Sequence, residues 1–321
     1  MKLTGKRFLF DFAPMFLIWI AVVLLFGALS DHFLSARTFA TIAGQVPPLA
    51  IIACGMTLVL IIAGIDLSVG SVLALSGAVL CVTISQWDLP VPIALLLAIL
   101  TGGLAGCFNG VVSVFLKIPS FIVTLGTLKI AFGLTMVITG SQTVTVGLKL
   151  EPLIQPFPFL GLPVSFLIAV LMVILTQVVL SKTTFGRYLV AIGTNEEAVR
   201  LAGIPTAWKK VGVFTIAGLL TGLASAFFAA RLGGVNADAG TGLELSAIAA
   251  VVIGGTSLMG GRGSVVNSFF GVLIILTLDA GLAQVGAQEF AKHMITGLVI
   301  IVAVTLDAIR SRYALRPGKS G

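Results

Sequence analysis

Apolar residues gather along this chain in long blocks separated by short polar breaks. The pattern is neither the alternation of a half-buried strand nor the three-and-four spacing of a surface helix. A helical block of about 18 residues or more crosses a hydrocarbon core of about 30 Å. The blocks predict ten spans, at roughly 14–33, 43–63, 66–86, 91–115, 119–139, 161–181, 209–230, 243–259, 265–284 and 290–309. One polar break differs from the rest. "TTFGRYLVAIGTNEEAVRLAGIPTAWKK", residues 183–210, gathers Arg187, Glu196, Glu197, Arg200, Lys209 and Lys210 between the sixth and seventh blocks. Thr194 or Asn195 can cap a short helix here, with Glu196 and Glu197 at the positive end of its dipole. Gly203 ends that helix and Pro205 prevents its continuation. A helix of about two turns is unstable alone in water, so it must pack on its own membrane domain or on a partner.

Composition agrees with the blocks. AVILMFWYC residues make up 58% and charged residues 10% of the 321, and the mean hydropathy is +1.16. That is too little charge to cover a soluble protein of this size. The fold class is therefore all-α: a polytopic integral membrane protein of about ten transmembrane helices, one transmembrane domain over residues 1–321. The first block is followed by "DHFLSARTF" without a small-x-small cleavage site, and is expected to remain as a span.

The net charge of +7 and pI of 9.6 point to membrane orientation rather than to nucleic acid. An even number of spans puts both termini on one side. Lys2, Lys6, Arg7, Lys117, the basic residues of 182–210, Arg262 and the C-terminal Arg310, Arg312, Arg316 and Lys319 then share that side. Only Arg37, Lys149, Arg231 and Lys292 lie opposite. Basic loops face the cytoplasm, so the termini and the insert are expected there. Cys54, Cys81 and Cys107 fall within apolar runs and form no disulfide or metal pattern, and His32 and His293 stand far apart. No metal site is expected.

Glycines punctuate the spans, as in "GGLAGCFNG" (102–110) and "VIGGTSLMGGRG" (252–263). Most are expected to let helix backbones approach closely in lipid. A faint similarity joins "CGMTLVLIIAGIDLSVGSV" (54–72) to "IGGTSLMGGRGSVV" (253–266), each a small-residue turn ahead of a new span.

"EAVRLAG" (197–203) resembles the EAA-x-x-x-G coupling loop of importer permeases powered by ATP-binding-cassette (ABC) ATPases, with Glu197, Ala198 and Gly203 at matching positions and Val199 in place of the second Ala. The words "GMTLVLIIAGIDLSVGSVLALSGAV" (55–79), "IPSFIVTLGTL" (118–128), "TTFGRYLVAIGTNEEAVRLAGI" (183–204) and "LSAIAAVVIGGTSLMGGRGS" (245–264) resemble, in order, the ribose/xylose-type sugar ABC permease family. The resemblance covers nearly the whole chain. It implies a permease subunit in a bacterial cytoplasmic membrane that moves a monosaccharide inward by alternating access. The implied partners are an ABC ATPase, an extracytoplasmic sugar-binding protein and a second permease, either a copy or a homologue. The insert, about 183–208, would be the docking surface, with Gly186, Arg187, Glu197, Ala198 and Gly203 its expected residues. ATP and magnesium would sit on the ATPase, with no cofactor on this chain. The one phosphate-loop lookalike, "GTSLMGGR" (255–262), has Gly-Arg where Lys-Ser/Thr is required.

Polar groups inside the blocks are the remaining candidates. In "AGIDLSVGS" (63–71), Gly64 can take a left-handed helix cap and Asp66 or Ser68 can cap the next helix; with Gly70 they form a tight turn or a gate. Asn109, Thr124 and Thr127 suit either a sugar hydroxyl or helix packing. Lys129 lies mid-span, too deep for its stem to reach either surface, so its ammonium must face protein or water. Relatives of the resembled family often carry Arg at the position of Phe132; here the charge stands three residues earlier on the same helical face. Asp279 is the other deep charge. It either pairs with Lys129 or shares the pathway with it. An ion-coupled secondary transporter is the alternative function, but it needs clustered acids near the midplane. Intramembrane-enzyme motifs such as H-E-x-x-H are absent from the sequence.

The orientation has a direct test. Cysteine introduced at Thr194 or Ser320 should stay unlabelled by an impermeant thiol reagent in intact cells and react once the cells are opened. Labelling at Thr194 from outside would reverse the topology.

Overall fold

The computed structural model describes residues 5–158, 161–288, 290–292, 294–295, 297–298, 301–302 and 305. Ten helices run in order: α1 Gly5–Leu29, α2 Ala36–Ile61, α3 Val69–Ser85, α4 Val91–Phe115, α5 Ser120–Thr139, α6 Val164–Lys182, α7 Thr184–Leu201, α8 Thr206–Leu232, α9 Leu243–Ile253 and α10 Val265–Gln284. Two-residue strands, β1 Val144–Thr145 and β2 Gly234–Val235, pair antiparallel, and a 3-10 helix covers Gly147–Leu153. Among the described residues seven helices (α1, α2, α4, α5, α6, α8 and α10) are long and apolar enough to cross a membrane. The chain is an all-α polytopic membrane protein. The expected tenth span, 290–309, and the C-terminal basic residues fall largely outside the described residues.

Local sequence sets several helix starts. Pro90, Pro119, Pro163 and Pro205 stand at the N-cap positions of α4, α5, α6 and α8, where the missing amide costs nothing and the ring fixes the entering backbone. Ser35 caps α2 by accepting from Thr38 N at 3.3 Å. α2 is the central helix and is almost entirely buried, with Pro47 and Pro48 inside it.

The tightest pairing is α4 with α8. Ala98, Gly102, Gly106 and Gly110 recur every fourth residue on α4 and meet Phe214, Gly218 and Gly222 of α8. A Cβ on Gly102 would lie 2.2 Å from Gly218 O, and one on Gly106 would lie 2.2 Å from Phe214 O. These glycines hold the backbones in contact, as the sequence suggested. Those of 254–261 do different work. Gly255, Gly260 and Gly261 take φ of +83°, +83° and +77° and turn the chain between α9 and α10.

Loops sort onto two faces. Segments 62–68, 116–119, α7 and 254–264 share one, the insert face. Segments 30–35, 86–90, 140–163 and 285–288 share the other. There Lys149 Nζ reaches Asp88 Oδ1 at 2.7 Å and Ile84 O at 3.2 Å. The Lys149 ammonium, as hydrogen-bond donor and as charge, holds the Asp88 carboxyl below its usual range.

Two spans expected from the sequence prove shorter. The third begins only at Val69, and the eighth, expected over 243–259, stops at Ile253 because Gly254 and Gly255 turn away. α3 and α9, at 17 and 11 residues, reach about 26 Å and about 17 Å at 1.5 Å per residue. Irregular segments complete the passage in both cases. From the insert face, 62–68 climbs to α3. From the far face, 236–242 descends along α3 to α9: Val235 packs at Gly77, and Gly240 lies against Gly70 with backbones touching. Gly77 to Gly70 is a drop of about 10 Å along the helix.

Bulk at the α4–α8 contact should be costly. Gly106→Val or Gly218→Leu is expected to lose about 1–3 kcal/mol or more through overpacking. Gly212→Ala, with nothing within 4 Å of its Cβ position, should be neutral or slightly stabilising. Thermal unfolding of the purified proteins in detergent compares them, and equal midpoints for all three would refute the contact.

Candidate functional site

The insert is two helices. α7 is broken at Asn195, whose φ/ψ of −160°/92° is extended. Asn195 Oδ1 accepts from Ala198 N at 3.0 Å and so caps the short second helix, while Thr194 Oγ1 instead donates to Val190 O at 2.8 Å. Gly203, at φ +80°, ends it. Val199 is the inward residue of this turn. Glu197, Ala198, Arg200 and Gly203 are exposed, as is Leu201 at 79%. Glu197 pairs with Arg200 at 2.7 Å, and Lys210 of α8 reaches Glu196 at 2.9 Å, fixing the short helix to the next span. Arg187 is exposed too. Gly186 is not. It is buried, and a Cβ there would lie 2.0 Å from Leu180 O, so it serves the fold-back of α7 on α6. Leu201 escaped the sequence reading; a large apolar residue in a polar, self-capped turn was the available signal.

The end of the first insert helix touches both irregular loops of its face. A Cβ on Gly193 would lie 1.8 Å from Ile61 O and 2.4 Å from Gly261 N, while Gly261 N itself donates to Ile61 O at 2.9 Å. Gly260 packs against Gly193 O and Ala63. Three segments distant in sequence thus meet through bare backbone. Beside them a cleft of about 500 Å³ opens between the 62–64 turn, residues 113–120 and α8, with Lys117, Glu196, Arg200 and Lys210 on its walls.

Residues 62–68 are not the expected tight turn. Ala63, at φ +57°, takes the left-handed position expected of Gly64, because Gly64 packs against Phe214 and Val59. Neither Asp66 nor Ser68 caps α3. Asp66 Oδ1 instead accepts from Ser68 N at 2.9 Å and Ser68 Oγ at 2.6 Å, closing a turn on itself. The segment then climbs α5: Ile65 N donates to Ser120 Oγ at 2.9 Å and Leu67 N to Thr124 Oγ1 at 3.0 Å. A chain of donors completes it. Thr127 Oγ1 donates to Asn109 Oδ1 (2.6 Å), Asn109 Nδ2 to Ser68 Oγ (2.9 Å), and Ser68 Oγ to Asp66. All four side chains of this chain are buried, as is Thr124. Thr127 lies seven residues into α5 and Asn109 six before the end of α4, so α3 starts about 10 Å above the insert-face ends of its neighbours. Asn109, Thr124 and Thr127 therefore hold a non-helical segment at membrane depth, with their hydrogen-bonding groups occupied.

Lys129 and Asp279 do not meet. α5 packs on α3 and α4, whereas α10 packs on α1, α2, α6 and α9. Lys129 is exposed on the outer surface of α5, and among the described residues it makes no ion pair. Asp279 is half-buried and faces a cleft of about 530 Å³ on the far face, with Gln45, Arg37, His32 and Gln284. Depth along each helix was readable from the sequence, but not which helices are neighbours.

The descending segment "NADAGTGLE" (236–244) lies between the expected spans 209–230 and 243–259. Asn236, Asp238 and Thr241 are exposed, and Glu244 brings a carboxylate oxygen against Gly70. No hydropathy signal marks its depth, because polar residues at depth and polar residues in a loop read alike.

A family profile described as "Branched-chain amino acid transport system / permease component" matches residues 38–304. The chain is 41% identical over 299 residues to the ribose import permease protein RbsC of Bacillus subtilis, covering 92% of each. It is 32% identical over 303 residues to the fructose import permease protein FrcC of Rhizobium meliloti (92% of this chain, 84% of the other). It is 34% identical over 300 residues to the autoinducer 2 import system permease protein LsrC of Escherichia coli O9:H4 (92% and 87%). No solved structure matches.

Removing the centre of the donor chain should be costly. Asn109→Ala strands both Ser68 and Thr127, and an unsatisfied buried group costs about 1–3 kcal/mol. Thr127→Val removes one end only and should cost less. The double variant should lose clearly less than the sum, because both break one network. Thermal stability of the four forms measures this, and strictly additive losses would mean that the chain does not act as a unit.

Proposed function

The chain belongs to the family of branched-chain amino acid transport system permease components, and we propose that it is the membrane-spanning subunit of an ATP-driven importer of a monosaccharide. The observation that carries the substrate class is the 41% identity, over 92% of both chains, to a protein named for ribose import. The fructose and autoinducer 2 permeases match over similar lengths, so a small hydroxylated solute fits these relatives better than the amino acid of the family's title.

In this reading the protein sits in a bacterial cytoplasmic membrane with its insert face and both termini in the cytoplasm. An ABC ATPase docks on the short helix after Asn195 and holds the ATP and magnesium. Glu197, Ala198 and Leu201 offer it an exposed mixed face, and Leu201 fits an apolar pocket on the partner. A helix of two turns has little stability of its own, but the Lys210–Glu196 contact and the buried Val199 let it move with α8 as one piece. Force on it is delivered at Gly193, where α7 bears on Ile61 and Gly261 together. Those residues lead into α3 and α10. One lever thereby shifts both irregular loops, the geometry alternating access requires. An extracytoplasmic binding protein delivers the sugar to the opposite face. A second permease, a copy or a homologue, lies against the surface of α5, and Lys129 faces the water-filled path between the two. An ammonium exposed at mid-span is far too costly in lipid, which supports that placement.

Docking is tested by Gly203→Asp, and by Glu197→Lys combined with Ala198→Asp. Each should reduce ATP-dependent uptake of labelled ribose in vesicles holding the assembled system by at least tenfold and release the ATPase on purification, with membrane yield unchanged. Normal co-purification with normal uptake would overturn the docking surface. Uptake driven by an ion gradient without ATP would overturn the importer itself.

A further inference from the structure

Segment 236–242 is irregular backbone at membrane depth, and its outward side chains are polar. In hydrocarbon such a segment is not tolerated, because neither its peptide groups nor its carboxylate would find partners. An aspartate facing the lipid centre is strongly disfavoured. Its depth is set by α3. Val235 packs at Gly77, and Gly240 backbone touches Gly70, two residues beyond the Ser68–Asn109 contact. Lys129, two residues beyond Thr127 on α5, lies at about the same level, roughly 14 Å from the insert-face end of α5. Gly240 is buried against α3, whereas Asn236, Asp238 and Thr241 turn outward. The amides of Ala239, Thr241 and Leu243 bond to the carbonyls of Asn236, Asp238 and Gly240 at 3.3, 3.0 and 3.1 Å. These successive turns are held by backbone, so the outward side chains are left free to meet a solute.

We infer that 236–242 forms one wall of the translocation path on its outer half, where Asp238 and Thr241 hydrogen-bond the hydroxyls of a passing polyol. The Asp238 carboxylate accepts from vicinal hydroxyls, and the Thr241 hydroxyl both donates and accepts. Held on turns and not on a rigid helix, the groups bind weakly enough for the solute to move on. Specificity then rests on a few hydroxyl contacts along an otherwise apolar span. This inference rests on the importer reading for its substrate but not for its geometry.

The test has two arms. In a Cys107→Ser background, single cysteines at Asn236, Asp238 and Thr241 are treated with a positively charged thiosulfonate reagent. Cysteines at Leu104 of α4 and Leu24 of α1, which face outward at 72% and 61% exposure, serve as lipid-facing controls. The reagent needs a thiolate, which forms only in water, so the three segment positions should react at least tenfold faster than the controls in the assembled transporter. This arm requires no transport and stands even if the substrate assignment fails. Reactivity no faster than at Leu104 would overturn the wall. In the second arm, Thr241→Val and Asp238→Asn should each lower ATP-dependent ribose uptake about tenfold, the effect of one hydrogen bond to a charged or hydroxyl partner. Thr241→Ser should restore it. Normal uptake in both variants, with the unaltered system transporting, would overturn the hydroxyl-binding role. Absence of ATP-dependent uptake in the unaltered system would instead overturn the importer reading.

Discussion

A backbone amide at membrane depth must find a partner inside the protein, and the rest of this architecture follows from how residues 62–68 meet that demand. Were they helical, α2 would simply continue. Because they are not helical, their N–H groups need acceptors from elsewhere; α5 supplies Ser120 and Thr124 at i and i+4, while Asn109 of α4 donates to the Ser68 hydroxyl. α5 and α4 are thereby committed to the flank of α3. α4 in turn must lie close to α8, and the glycine stripe from Gly102 to Gly110 makes that approach possible. Each hydroxyl in the Thr127–Asn109–Ser68–Asp66 chain is polarised by the next, so the set strengthens as a whole and fails as a whole.

The same economy governs the insert face. Gly193, Gly260 and Gly261 meet Ile61 and each other largely through backbone, so in the proposed importer motion of α7 would reach Ile61 with little side-chain compliance. A lever needs a stiff joint, and close-packed backbone has two alternatives, seated or displaced, rather than a continuum. The ion pair from Lys210 to Glu196 is partly shielded, with side-chain exposures of 24% and 45%. It adds direction more than stability, since pairs of this kind contribute about 1 kcal/mol or less.

Much of the fold was legible in the sequence. Span positions followed from block length, and the insert helix from Asn195 and Gly203. Resemblance to sugar permeases agreed with the family the comparisons identify. What was illegible has one cause: depth and neighbourhood are tertiary. The block from 55 to 79 is apolar almost throughout, and the partners that permit its break stand 55 and 57 residues away in sequence. "NADAGTGLE" is polar, and whether it lies outside the membrane or descends along α3 depends on the Gly70–Gly240 contact. Gly64 carried the expected left-handed turn in sequence, but its contact with Phe214 passed that role to Ala63.

The exposed position of Lys129 is a consequence of this arrangement. Ser120, Thr124 and Thr127 occupy one stripe of α5, and the irregular segment 62–68 fixes that stripe toward α3. A residue two beyond Thr127 is turned by about 200° at 100° per residue, which is the opposite side of the helix. Lys129 therefore cannot face its own chain while the segment is held, whatever lies elsewhere in the protein. Pairing with Asp279 would demand that α5 rotate, strand the amides of Ile65 and Leu67, and break the donor chain at Thr127. Several hydrogen bonds would be exchanged for one ion pair whose own desolvation cancels much of its attraction. The buried amides decide the orientation of α5, and the charge goes where they leave it.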